Sequence, residues 1–409
     1  QGWIDIATFA SPGMPGGMAG MMMGGMGGGG GNTPLSALMG GGKAQGNQFG
    51  HTRTGGSGSF VDVTLRTSRN PSLAEAVQSV PAGTKLAPSL QLKVLPQAKP
   101  VPEKDGDAVE EPAETPKGKI KLYWGCGPTV RPGQPKVVDL STATISQFGD
   151  IFKGRRATQR GTHSAPGRPV WPNLQDTRLV PAGASFVGEH AFTGQGVPES
   201  FKFTLPPAQD IMPPIALQQA QVDGVTQLTW QALPTARGYF IAAMGGKGDE
   251  SGAAEMTLWT SSELPDSGFG LVDYQTNKSV DQWLKEKVLL APSTTRCDVP
   301  KGIFGEGEAS GAMLRMIAYG TELNLAYPPR PTDPKVAWEP DWALKVRVKS
   351  VAMSMLGMPS MMGGEDAATV PDDATDAGTT PAEEQPKKKK KFSMKDALEA
   401  VKDAVPVPH

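Results

Sequence analysis

The chain has 409 residues, long enough for two or three domains, and its 40 basic and 41 acidic residues leave a formal net charge of −1. No overall field therefore steers it toward nucleic acid. With 38% hydrophobic residues, 51 Gly and 38 Pro, it is too rich in turn and loop formers for a mainly helical body, and it has no run of 18 apolar residues that could span a bilayer.

Gln1 stands where a start Met would be, as in a mature chain left by signal-peptide cleavage, so the expected location is secreted, periplasmic or cell-surface. Trp3, Ile4, Ile6 and Phe9 form a short apolar stretch, a candidate strand or a segment donated to a neighbour. Gly13 to Gly31 follows, 19 residues of which 11 are Gly and six are Met. Glycine has the most backbone freedom to lose on ordering, whereas methionine adapts to irregular apolar surfaces. Residues 1–59 thus read as a Gly/Met-rich arm. Its candidate contacts are Trp3, Ile4, Ile6, Phe9, Met18, Met21, Met22, Met23 and Met26.

Residues 60–205 read as a first β-rich region. Phe60 to Thr67 alternates, with Phe60, Asp62, Thr64 and Arg66 on one side and Val61, Val63 and Leu65 on the other; Ser89–Leu95 and Lys119–Trp124 repeat the pattern. Leu73 to Val80 suggests one or two helical turns. Residues 96–118 are rich in Pro, Glu, Asp and Lys and read as a flexible insertion. The phrase Val-Pro-Ala-Gly occurs at 80–83 and 180–183, each time before an extended segment, the second being Ser185–Val187 and then Ser200–Leu205.

Residues 206–352 form the second region. Val225–Trp230 and Tyr239–Ala243 read as strands around a turn at Pro234–Gly238. Leu228-Thr229-Trp230 followed by Ala236-Arg237-Gly238-Tyr239 resembles the second and third strands of fibronectin type III-like and related immunoglobulin-like modules. The likeness extends loosely through Glu255–Thr260, Met313–Tyr319 and Ala343–Val351. It implies a β-sandwich used for binding, spacing or presentation and brings no catalytic residues with it. An insertion at 261–311, with a short helix near Ser279–Leu289, exceeds a minimal module. Residues 353–386 are a Met/Gly and then acidic linker, and 387–409 a Lys-rich segment with a short amphipathic helix. The expected fold is mainly β, with two β-rich regions, low-complexity terminal arms and a short C-terminal helix.

Chemistry-bearing patterns are sparse. His51, His163, His190 and His409 lack zinc-motif spacing, and Gly40 to Lys43 fails the P-loop pattern at residues 37 and 44. Cys126 and Cys297 are candidates for one long-range disulfide or for two buried thiols. Thioether sulfur suits Cu(I), which makes Met21, Met22, Met23, Met26, Met358, Met361 and Met362 a candidate soft-metal set. Arg155 and Arg156 belong to a basic run suited to phosphate, nucleic acid or acidic glycan, and Trp171 and Trp338 are candidate aromatic platforms. Lys387 to Lys391 could dock on an anionic surface or polysaccharide. The leading expectation is a non-enzymatic secreted or cell-envelope protein acting in self-assembly or surface attachment, with itself or another envelope protein as partner. The alternatives are a Cu(I)-binding envelope protein and a carbohydrate- or polymer-binding module.

Overall fold

The computed structural model describes residues 1–11, 46–54, 56–96, 118–142, 155, 161–248, 254–305, 312–333 and 335–356. Most of the Gly/Met arm, Met358, Met361 and Met362, Arg156, nearly all of the 96–118 insertion and the Lys387–Lys391 segment with its helix lie outside the described residues.

The protein is mainly β. Its strands are β1 (Gly2–Ala10), β2 (Gly58–Leu65), β3 (Glu75–Ser79), β4 (Ser89–Lys93), β5 (Gly118–Trp124) and β6 (Lys136–Asp139). They continue with β7 (Val170–Trp171), β8 (Gly188–Thr193), β9 (Lys202–Leu205), β10 (Gln218–Val222), β11 (Val225–Thr229) and β12 (Gly238–Gly248). The last are β13 (Ala254–Thr260), β14 (Arg296–Val299), β15 (Met313–Tyr319), β16 (Leu323–Tyr327) and β17 (Trp342–Met355). Two short α-helices, α1 (His51–Thr54) and α2 (Asn277–Lys285), and three 3-10 turns, at Ala82–Thr84, Pro207–Gln209 and Phe269–Leu271, complete the regular structure of the described residues.

Fourteen strands form one mixed sheet, in the order β6-β5-β13-β12-β15-β17-β1-β2-β7-β4-β3-β8-β9 with β16 also on β17; β10-β11-β14 form a second, small sheet. Both β-rich regions feed the large sheet. β17 pairs in parallel with β1, Gly2 opposite Leu344 through Ala10 opposite Ala352, and β13 pairs in parallel with β5. β1 is held on its other side by antiparallel β2. Trp3–Phe9 therefore fills a central slot in its own sheet and offers no free edge to donate, which corrects the reading of it as a donated strand.

Leu73–Val80 is a second correction. Its core is strand β3, paired with β4 and β8, because Ala76 and Gln78 are buried at alternate positions and two waiting strand edges outweigh a weak helical preference. Ser185–Val187 is not a strand either; Asp210 accepts hydrogen bonds there from Phe186 N and Ser185 Oγ, both at 2.7 Å.

One face of the large sheet buries Ile4, Ile6, Val61, Val63, Leu314, Met316, Val346 and Val348 in the main core. The small sheet packs into the same core through Leu228, Cys297 and Val299, and Trp230 meets Tyr239 of β12 edge-on with ring centroids 5.6 Å apart. The second region is thus a sandwich, with β11 and β12 in different layers. Cys126 and Cys297 are bonded, with Cα atoms 5.2 Å apart, and tie the loop after β5 to β14. The other face carries Ala7, Phe9, Phe60, Phe240, Ile317, Tyr319, Val351 and Met353, covered by Leu271, Val280, Trp283, Val288 and Leu289 from the 261–311 insertion. Helix α2 begins where Thr276 Oγ1 accepts from Ser279 N at 3.1 Å, and it lays Val280 and Trp283 on that face.

Candidate functional site

Two places in the described structure gather polar and aromatic chemistry, both on the insertion-covered face. The first is a buried charge network across the central strands. The alternation of β1, β2 and β17 places Asp5 opposite Arg347 on one side and Asp62 on the other. Asp5 accepts from Arg347 Nε and Nη2, both at 2.6 Å, in a forked pair, and from Thr162 N at 3.0 Å and Thr162 Oγ1 at 2.7 Å. Two residues on, Lys349 donates to Asp273 at 2.7 Å. The Tyr274 ring lies under both cations, 4.3 Å from Arg347 Cζ and 4.2 Å from Lys349 Nζ, and its hydroxyl donates to Ile6 O at 3.0 Å. Gly161 seals the top: a Cβ there would overlap the Arg347 guanidinium and approach Asp5.

Burial governs how these groups hold their protons. Asp62, which accepts from Gly50 N at 3.0 Å, Thr52 N at 3.3 Å and the Thr52 hydroxyl, is pushed up to about 7 by desolvation despite those donors, with Asp5 adding to the rise. Desolvation also pushes Lys349 down to about 8 against the pull of Asp273. It opposes ionisation of Asp5 as well, but Arg347 and Thr162 outweigh it and hold that carboxyl below its ordinary value. The side chains of Asp5 and Arg347 are only 1% exposed. Chemically this is a closed, mutually satisfied set.

The second place is an open groove of about 600 Å³ where the same face reaches the Gly2 end of β1. Register sets Trp3, Lys345 and Asn324 side by side across β1, β17 and β16. Leu325, Ala326 and Leu344 also line the groove, and Arg330 and Trp338 come to it from the loop between β16 and β17. The Trp338 indole is fixed by donation from Nε1 to Pro328 O at 3.0 Å, and the Arg330 guanidinium sits 5.7 Å from its ring centroid. Outside the groove lining, Arg168 lies 5.4 Å over the Trp3 ring, with the His163 ring against Trp3 at 6.0 Å. One arginine–tryptophan pair, Arg330 with Trp338, thus lies in the groove, and a second, Arg168 with Trp3, adjoins it through the Trp3 ring.

The charge there is one-sided. Among the described residues no carboxylate forms an ion pair with Arg66, Arg168 or Arg330, whereas Lys345 is matched by Glu322 at 2.9 Å. Partial burial, and then the nearby Arg66 charge, lower the affinity of Arg168 for its proton.

The candidates read from sequence are dispersed by the fold. Trp3 and Trp338 meet in the groove, while Trp171 is fully buried in the main core and is no platform. Arg155 is consumed by Asp266 at 3.0 Å and Glu286 at 2.5 Å. Ile4 and Ile6 are core, Phe9 packs beneath the insertion, and Met353 is a buried strand residue. His51 rests on Phe60, His163 on Trp3, and His190 between Phe186 and Phe203. No group of three or more His, Cys, Asp and Glu placed to hold a metal occurs among the described residues. Sequence reasoning missed Arg330, Asp5, Arg347 and Lys349. The signal available was a charged residue inside an otherwise apolar strand, as in Trp3-Ile-Asp-Ile6. No family model matches the chain, and no curated protein matches it at significant similarity.

Proposed function

We propose that the chain is a non-enzymatic protein of the cell envelope or secreted space, in which a disulfide-stapled β body carries two methionine- and glycine-rich arms into self-assembly or attachment to another envelope protein. The carrying observation is the parallel pairing of β1 with β17. Ala10 lies opposite Ala352, so the segments that continue past these strands leave from the same end of adjacent strands, which lie about 4.8 Å apart. The tract from Gly13 and the Met/Gly stretch that runs on from Met353 are thus two sequences of like composition anchored side by side. The Cys126–Cys297 bond fits an oxidising compartment. The Asp5–Arg347 and Asp273–Lys349 pairs are closed off, which suits a scaffold better than a catalyst.

Light scattering across a dilution series tests the reading. Deleting residues 1–42 would remove a central strand, so the informative variant replaces Met18, Met21, Met22, Met23 and Met26 by Ser and keeps β1. The wild type is expected to exceed monomer mass and dissociate on dilution, with the variant monomeric and unchanged in circular dichroism. A strictly monomeric wild type would sink the proposal. The same convergence favours one second reading, a soft Cu(I) site built from both arms. Anaerobic Cu(I) titration, with Met-to-Leu replacement as control, distinguishes the two.

A further inference from the structure

The groove at the Gly2 end of β1 differs from the buried charge network, because one of its cations, Arg330, is exposed and makes no ion pair among the described residues, and its aromatic rings are only partly covered. Trp3 and Trp338 are half-buried and Arg330 is exposed, whereas the Asp5–Arg347 network below them is sealed. We propose that this groove binds a linear polysaccharide bearing carboxylate groups, a polyuronate, with sugar rings stacked on the Trp3 and Trp338 indoles and carboxylates taken by Arg330 within the groove and by Arg168 beside the Trp3 ring.

Each element of the site matches one feature of such a chain. An indole offers a flat apolar surface with a negative quadrupolar face, which suits the polarised C–H face of a pyranose. The arginine fork accepts a carboxylate in two parallel charge-assisted hydrogen bonds. Arg330 and Arg168 are already held near the two rings, at 5.7 and 5.4 Å from the centroids, so little side-chain freedom remains to be lost on binding. Leu325, Ala326 and Leu344 give the groove an apolar lining, and its open form accommodates an extended chain rather than an enclosed small molecule. A chain with 40 basic and 41 acidic residues has no overall positive field to draw in a densely charged phosphate backbone. A polyuronate carries one charge per sugar and needs only the few arginines present.

Isothermal titration of the full chain with oligogalacturonate, at low and high salt, tests the proposal. A neutral malto-oligosaccharide and a single-stranded DNA of mixed sequence serve as comparison ligands. Binding to oligogalacturonate is expected, weakened by salt, with no measurable heat from the neutral sugar. Trp338→Ala and Arg330→Gln should each weaken it about tenfold or more. Arg330 is exposed and makes no ion pair among the described residues, so Arg330→Gln leaves the fold intact even if Trp338→Ala disturbs its loop. Absence of binding, equal binding of the neutral sugar, tighter binding of the DNA, or affinity unchanged in Arg330→Gln would each overturn the assignment. The site lies at the opposite end of β1 and β17 from the methionine-rich arms. The Met-to-Ser variant should therefore retain oligogalacturonate binding, and failure of the assembly reading leaves this one standing.

Discussion

Asp62 and Lys349 are buried side chains whose ionisation the fold opposes. Unfolded, Asp62 titrates near 3.8, and folded near 7. Between those values the native state holds a proton that the unfolded chain has released, so this residue's contribution to stability declines as pH rises from about 4 to 7. Lys349 falls from 10.5 to about 8; from pH 8 to 10.5 the unfolded chain holds the extra proton, and the contribution of Lys349 rises with pH. Asp5, held below its ordinary 3.8, stabilises above that value and loses its effect as pH falls through its folded pKa. Burial lowers the pKa of His51 and His190, so their contributions run opposite to that of Asp62. The clean measurement is therefore a comparison with Asp62→Asn by urea unfolding from pH 4 to 7. The stability advantage of wild type over the variant should shrink steadily across that range. A constant difference would mean that Asp62 is ionised throughout.

At the scale of elements, the disulfide does more than its two neighbours suggest. It closes 171 residues of sequence and joins the large sheet to the small one, where Gly127 N also donates to Asp298 O at 2.9 Å and Lys301 N to Pro128 O at 3.1 Å. Closing a loop that long restricts the unfolded chain, so replacing both cysteines by Ser should cost about 2–5 kcal/mol in guanidinium unfolding. A loss well under 1 kcal/mol would show that the surrounding contacts hold the layers together unaided. The strands themselves were largely legible: Phe60–Thr67, Ser89–Leu95 and Lys119–Trp124 announce β2, β4 and β5 by period-two alternation. Their second face was not. Alternation says which residues point together, but Asp62 is closed over by Gly50 and Thr52, and Asp5 and Arg347 by Thr162 and Tyr274, residues that alternation does not place there. Half of the groove was legible for a related reason. Trp3 and Trp338 stand out as aromatics, but nothing local reveals that Arg168 and Arg330 will stack on them.

For the whole molecule, order within the large sheet ranks stability. β17 is contacted by β15, β16 and β1, and β1 by β17 and β2, while β6 and β9 end the sheet. Amides of β1 and β17 should exchange with solvent only on global unfolding, and those of β6 and β9 far earlier, as hydrogen exchange read by mass spectrometry can show. Uniform protection along the sheet would contradict this ranking.

The side-by-side exit of β1 and β17 also has a mechanical meaning. Force pulling both arms the same way runs along two parallel strands and loads their flanking hydrogen bonds in shear, many at once. Force pulling the arms away from each other acts across the strands at that end, where Ala10 and Ala352 part first and the remaining bonds follow singly. The parallel pair therefore resists tension applied to both strands together better than tension applied between them.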